Sequence, residues 1–103
     1  MKCLTLFVHA AVRDEVVDCL REDSEVSGFT LTEAQGHSSA TAEDDPFLAT
    51  RDRVVGYVPR VRIEVVLPDD AVDAVLDRVR ASLSRGGTAG AWLVTDAEGF
   101  GRL

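Results

Sequence analysis

An α+β sandwich, with two helices packed on one face of a four-stranded antiparallel sheet, is the architecture this sequence predicts. Three observations point there. Two segments carry apolar residues at helical spacing, and the remaining apolar segments alternate or run continuously as strands do. Their order along the chain is βαββαβ. Two right-handed βαβ-like crossovers then place both helices on one side of the sheet, the ferredoxin-like arrangement.

The first strand spans residues 3–8, where nearly every position is apolar or β-prone. Cys3, Thr5 and Phe7 take one parity and Leu4, Leu6 and Val8 the other, so both faces of this strand call for burial. The period then changes. Val12, Val16, Cys19 and Leu20 fall on one helical stripe, with Arg13, Asp14, Asp18, Arg21 and Glu22 outside it. After Gly28, residues 29–34 alternate as a second strand. Val58 to Leu67 is the third, with Val61, Ile63 and Val65 on one face and Arg60, Arg62 and Glu64 on the other. Pro68 stops it, and Asp69 or Asp70 is placed to cap the next helix. Val72, Val75, Leu76, Val79 and Leu83 repeat at helical spacing, with Arg78, Arg80 and Arg85 near the C-terminal end. A glycine-rich loop, Gly86-Gly87-Thr88-Ala89-Gly90, leads into the last strand, Ala91 to Thr95. The helices cover one sheet face only, so the other is expected to meet another copy.

With 103 residues the chain makes one domain, and a core of that size gains from self-association. Eighteen acids against eleven bases, a formal charge of −7, disfavour nucleic acid as a partner. No stretch approaches the ~20 apolar residues that span a bilayer, and the N-terminus lacks a signal-peptide pattern. A cytoplasmic protein without direct membrane insertion is expected. Cys3 and Cys19 have no CxxC spacing and read as reduced, small core hydrophobes.

Between Gly36 and Gly56 the periodicity collapses into small, polar and acidic residues, including Glu43-Asp44-Asp45-Pro46 and Phe47. About 21 such residues make a long loop for a compact domain, and loops of that length are commonly functional.

These segments resemble a known family. Tyr57-Val58-Pro59-Arg60-Val61-Arg62-Ile63-Glu64-Val65-Val66, followed by Pro68-Asp69-Asp70 and Val72-Asp73, resembles the third strand and second-helix start of PII signalling proteins. Gly28-Phe29-Thr30-Leu31-Thr32-Glu33 and Gly36 resemble the PII second strand and the base of its T-loop, and the likeness covers essentially the whole chain. It implies a homotrimer that binds adenine nucleotides (AMP, ADP or ATP) between subunits. It also implies a T-loop, residues 36–56, that engages a membrane transporter or other protein through Glu43, Asp44, Asp45, Phe47, Arg51 and Arg53. Thr30 and Glu64 match positions lining the PII adenine pocket, and Arg60 stands where PII uses a lysine.

The chain also departs from PII. No glutamine follows Gly36, and Ser84-Arg85-Gly86-Gly87-Thr88-Ala89-Gly90 has neither the aspartate nor the lysine of the PII phosphate loop. Within the family, Val26-Ser27-Gly28-Phe29, Gly36-His37-Ser38, Trp92-x-Val94-Thr95 and the Glu98-Gly99-Phe100-Gly101-Arg102-Leu103 ending resemble PII-like proteins encoded beside heavy-metal RND efflux systems. That likeness implies a role in sensing or tuning metal efflux.

Read as chemistry, Gly86, Gly87 and Gly90 either open backbone N–H groups to a phosphate or simply turn the chain from helix to strand. Arg60 and Arg62 share a face and suit a phosphate or carboxylate; with Glu64 they equally suit an ion-pair row. Residues 51–62 hold Arg51, Arg53, Arg60 and Arg62 against Asp52 alone, a basic stretch fit for a small anion. His37 is the metal candidate, since imidazole suits Zn, Cu and Ni, or it is a turn residue hydrogen-bonding its own loop. Joined by Asp44 and Asp45 it would suit a second reading, a metal-tolerance protein like those of the CutA family binding Zn or Cu directly. His9 reads as structural or interfacial, and Trp92 as a packed strand residue. No residue set has the spacing of a catalytic centre, so a regulatory protein, not an enzyme, is expected.

Overall fold

The computed structural model describes residues 1–37, 57–83 and 89–103. Strand β1 (Lys2–His9) runs into a single 3₁₀ turn (Ala10–Val12) and helix α1 (Arg13–Glu22). Strands β2 (Thr30–Gly36) and β3 (Val58–Leu67) follow. A second 3₁₀ turn (Asp69–Ala71) opens helix α2 (Val72–Ser82), and β4 (Gly90–Asp96) completes the sheet. The strand order is β2-β3-β1-β4, every neighbouring pair antiparallel, which is the predicted α+β, ferredoxin-like sandwich.

The core lies between the sheet and the helices. Leu4, Leu6 and Val8 of β1 pair directly with Val65, Ile63 and Val61 of β3, and opposed side chains share a face. Val16 and Leu20 of α1 and Val72, Val75, Leu76 and Val79 of α2 close over them, all buried. The helical stripes therefore do what their period predicts. Gly90 is required where β4 meets β1: a Cβ there would lie 2.9 Å from Val8 Cα and overlap the Phe7 carbonyl oxygen.

Several boundaries differ from the sequence reading, each for a local reason. Helix α2 ends at Ser82, before Leu83, whose backbone is extended (φ −86°, ψ 120°). The Ser82 hydroxyl donates to the Val79 carbonyl at 2.6 Å and the Leu83 N–H to the Arg80 carbonyl at 3.2 Å, so the last turn tightens and stops. Leu83 still packs against the core. Neither Asp69 nor Asp70 caps α2 through its side chain; the Ala71 N–H bonds the Pro68 carbonyl at 3.0 Å instead. Asp69 pairs with the N-terminal ammonium at 2.7 Å, which holds its carboxyl below the usual range. Strand β2 begins one residue later than predicted and runs two residues further, to Gly36. His9 is structural: its ring Nδ1 accepts the Ala11 N–H at 3.0 Å and starts the first 3₁₀ turn, while its own N–H bonds the Ala89 carbonyl at 2.9 Å.

One ion-pair group fastens the chain between α1 and β2 to α2. Arg78 donates from Nε to Asp23 at 2.6 Å, and from its terminal nitrogen to Asp23 at 3.0 Å and to Glu25 at 2.7 Å. Asp23 also accepts the Glu25 N–H at 3.0 Å, and only 2% of its side chain is exposed. The Arg78 hydrogen bonds hold the Asp23 carboxyl below its usual range, against the opposing pull of desolvation.

Two predictions follow from the packing. Gly90→Ala would destabilise the fold by about 1–3 kcal/mol, because the new methyl meets β1 backbone that cannot yield; urea melts of the two proteins measure it. A depressed native pKa means that Asp23 contributes stability above the ordinary carboxylate range and loses it as pH falls through the native value. Acid unfolding from pH 6 to pH 2 should therefore be shallower in Asp23→Asn, which should also be less stable than wild type at pH 6.

Candidate functional site

Among the described residues no helix packs on the second sheet face, and register assigns its rows. Thr30, Glu64, Thr5 and Leu93 lie side by side across the four strands, and Thr32, Arg62, Phe7 and Ala91 form the next row. Arg62 reaches along β3 to Glu64 at 3.5 Å. The Cys3 thiol lies 4.0 Å from the Glu64 carboxylate and 3.8 Å from the Thr5 hydroxyl. The sheet thus brings Thr30, Arg62 and Glu64 together as a hydroxyl, a cation and a carboxylate acceptor on one surface. This is the arrangement expected of an ion-pair row, and Thr30 and Glu64 also face a groove.

That groove, of about 450 Å³, is walled by Cys3, Phe29, Thr30, Glu64 and Val66, with Phe100 and Arg102 from the segment after β4 on its other side. Sequence reasoning missed the last two as site residues. The signal for Cys3 was available: it shares parity with Thr5 and pairs with Val66, beside Glu64 in β3. Nothing in the pattern of residues 97–103 marks Phe100 or Arg102 as lining a groove on the sheet.

Arg60 takes a separate course. It pairs with Ala34 in register, and its side chain leans diagonally across β2 over Gly36, where a Cβ would overlap its guanidinium arm. Arg60 lines a second groove of about 470 Å³ with Glu33, Gln35 and Tyr57. His37 is exposed just beyond β2, its Nε2 lying 3.4 Å from Gln35 Oε1 and its ring centroid 6.0 Å from that of Tyr57. Among the described residues no three His, Cys, Asp or Glu side chains come together as a metal site. Gly90 sits at the opposite edge of the sheet from Gly36, three strand spacings across and three residues along, roughly 17 Å away. Gly86 and Gly87, and Glu43, Asp44, Asp45, Phe47, Arg51 and Arg53, lie outside the described residues. Trp92 is not packed as predicted: it is 50% exposed, with the Arg80 guanidinium 5.5 Å from its ring centroid.

A family model described as a protein of unknown function, DUF3240, matches residues 1–103. The chain belongs to the DUF3240 family. A crystal structure of a DUF3240 family protein from Shewanella baltica superposes with a TM-score of 0.77 at 20% identity, covering 99% of this chain and 94% of that one. At that identity the likeness establishes the fold. Among curated proteins, the nitrogen regulatory protein P-II of Mesorhizobium japonicum is 33% identical over 86 residues, covering 84% of this chain and 75% of that protein. The nitrogen regulatory protein P-II of Rhizobium meliloti is 30% identical over 86 residues, with the same coverage. Nitrogen regulatory protein P-II 1 of Escherichia coli K12 is 29% identical over 79 residues, covering 77% of this chain and 69% of that protein. This DUF3240 chain is therefore homologous to PII proteins, which places it in a PII-like regulatory family. Among the described residues no helix is long and apolar enough to cross a membrane.

The Gly36–Arg60 contact makes a direct prediction. Gly36→Ala should change stability by less than about 1 kcal/mol, because the obstructing atoms belong to a flexible side chain at the sheet edge. It should still swing the Arg60 guanidinium away from β2. A crystal structure of the variant, or the NMR shift of Arg60 Nε, reads the displacement.

Proposed function

We propose that this protein is a PII-like regulator that assembles as a homotrimer, senses a small ligand between subunits, and passes ligand occupancy to a protein partner through residues 36–56. The observation that carries this reading is the sheet face opposite the helices, where Thr30 and Glu64 line a groove of about 450 Å³ and Arg62 pairs with Glu64. Homology to P-II proteins across most of the chain supports the regulatory class. Adenine nucleotides are the ligands to test first: Glu64 would accept from an exocyclic amine, Thr30 would bond a ring nitrogen, and Arg60, Arg62 and the Gly86, Gly87 and Gly90 loop would face phosphate. A heavy-metal efflux transporter is the partner proposed for the loop, with Glu43, Asp44, Asp45, Phe47, Arg51 and Arg53 as the contacting residues. A switch of this kind requires that ligand bind one loop arrangement more tightly than another.

Two measurements test the reading. Light scattering should return a mass near three times the 11.1 kDa of one chain; a monomer at high concentration removes the intersubunit site. Calorimetry with AMP, ADP and ATP should detect binding that weakens about tenfold or more in Glu64→Gln, in line with a lost bond to a charged group. Parallel titrations with Zn and Cu test direct metal binding. Metal affinity lost in His37→Ala, with no nucleotide bound by wild type, would replace the nucleotide reading by a CutA-like one.

A further inference from the structure

Resting on the ligand reading proposed above, we propose that Arg78 is a positioning residue for the groove. From the helix layer it fixes, through Asp23 and Glu25, the wall formed by Ser27, Gly28 and Phe29. The chain between α1 and β2, residues 23–29, has no regular structure, and it passes from the helix layer to the groove on the opposite sheet face. A wall made of such a segment keeps its shape only if something outside the groove holds it.

The hold begins with a closed turn. Asp23 leaves α1 with extended backbone (φ −79°, ψ 118°). Its carbonyl accepts the Val26 N–H at 3.1 Å and its carboxylate accepts the Glu25 N–H at 3.0 Å. Arg78 pins that turn from α2, donating to both Asp23 carboxylate oxygens and to the Glu25 carboxylate, each at 3.0 Å or less. This is not an ordinary surface pair. The Asp23 side chain is buried, so its charge depends on Arg78, and the two-pronged contact fixes direction as well as distance.

The far end of the wall is held by register, since Thr30 pairs with Glu64. With the turn pinned, three residues, Ser27 to Phe29, bridge Val26 and Thr30. With it released, the seven residues 23–29 connect α1 to β2. The longer span has more arrangements to lose when a ligand binds, and that loss weakens binding. Phe29 packs against the core, but a Cβ on Gly28 would meet nothing within 4 Å, so no packing fixes the middle of the wall. Arg78 itself does not line the groove. It acts through the turn.

NMR relaxation and calorimetry with ADP test this role. Glu25→Gln weakens one arm at an exposed position; Arg78→Met removes all three bonds and keeps the aliphatic stem. Backbone order parameters at Ser27 and Gly28 should fall from about 0.85 in wild type to below about 0.6 in Arg78→Met, with a smaller drop in Glu25→Gln. Those of β1 and β3 should hold. ADP affinity should weaken about tenfold in Arg78→Met, and Arg78→Lys, which keeps a cation beside Asp23, should recover part of it. A residue that served stability alone would shift the urea midpoint and leave the order parameters and affinity of the folded variants at wild-type values. If Arg78→Met fails to fold, Glu25→Gln decides: wild-type order parameters at Ser27 and Gly28 there overturn the proposal. A mobile wall with unchanged ADP affinity overturns it too. A wild type that binds no ADP overturns the nucleotide reading instead, and the order parameters alone then decide whether Arg78 holds the wall.

Discussion

The pairing of β1 with β3 is the constraint on which the rest of the structure depends. Leu4, Leu6 and Val8 against Val65, Ile63 and Val61 put six apolar side chains in the centre of one sheet face. Full burial of each is worth about 1.5–3 kcal/mol, whereas an exposed ion pair such as Arg62–Glu64 contributes ~0–1 kcal/mol. Register is therefore set on the helix side. A one-residue slip would expose the whole apolar set, and no gain on the open face could offset it. The open face is in turn free to carry polar chemistry. Thr30, Arg62 and Glu64 are aligned there because the buried partners of the same strands hold them so, not because they hold one another.

That division explains how much of the molecule was legible beforehand. Helix α2 and strand β3 have clean periods over ten residues or more, and both stand where their patterns placed them. Their ends were less legible, because ends are decided by particular hydrogen bonds. Ser82 turning back to Val79 stops α2 one residue before Leu83, although Leu83 keeps the apolar rhythm. Asp69 had the chemistry of a cap, yet the N-terminal ammonium is adjacent in space and takes its carboxylate. Arg78 was read as a cation favoured by the helix end; its actual partners, Asp23 and Glu25, are more than fifty residues away in sequence, where no spacing rule reaches.

The site follows the same logic. That Arg62 and Glu64 share a face is written in the alternation of β3, but that Thr30 lies opposite Glu64 requires the register of β2 against β3. Phe100 and Arg102 were illegible because residues after β4 have no period, and only the three-dimensional path of the chain sets them across the groove from Cys3. Trp92 failed for a different reason. Its strand is real and its parity is toward the helices, but β4 is an outer strand, and among the described residues no strand pairs beyond it to cover the side chain.

Two glycines sharpen the point: Gly36 stands at the base of the T-loop-like segment and Gly90 in the glycine-rich loop, and both have packing roles. Gly36 leaves room for a long cationic side chain that lies across it, and Gly90 leaves room for the backbone of β1. The first is a soft constraint, which a methyl would relieve by moving Arg60; the second is hard, because backbone bonded into a central strand has nowhere to go. Soft constraints at an edge are where a binding surface can change with little cost to the fold. The β2 edge, carrying Thr30, Gly36 and the reach of Arg60, is of this kind. The β4 edge is held against β1 backbone at Gly90, a contact that no side-chain rotation can relieve.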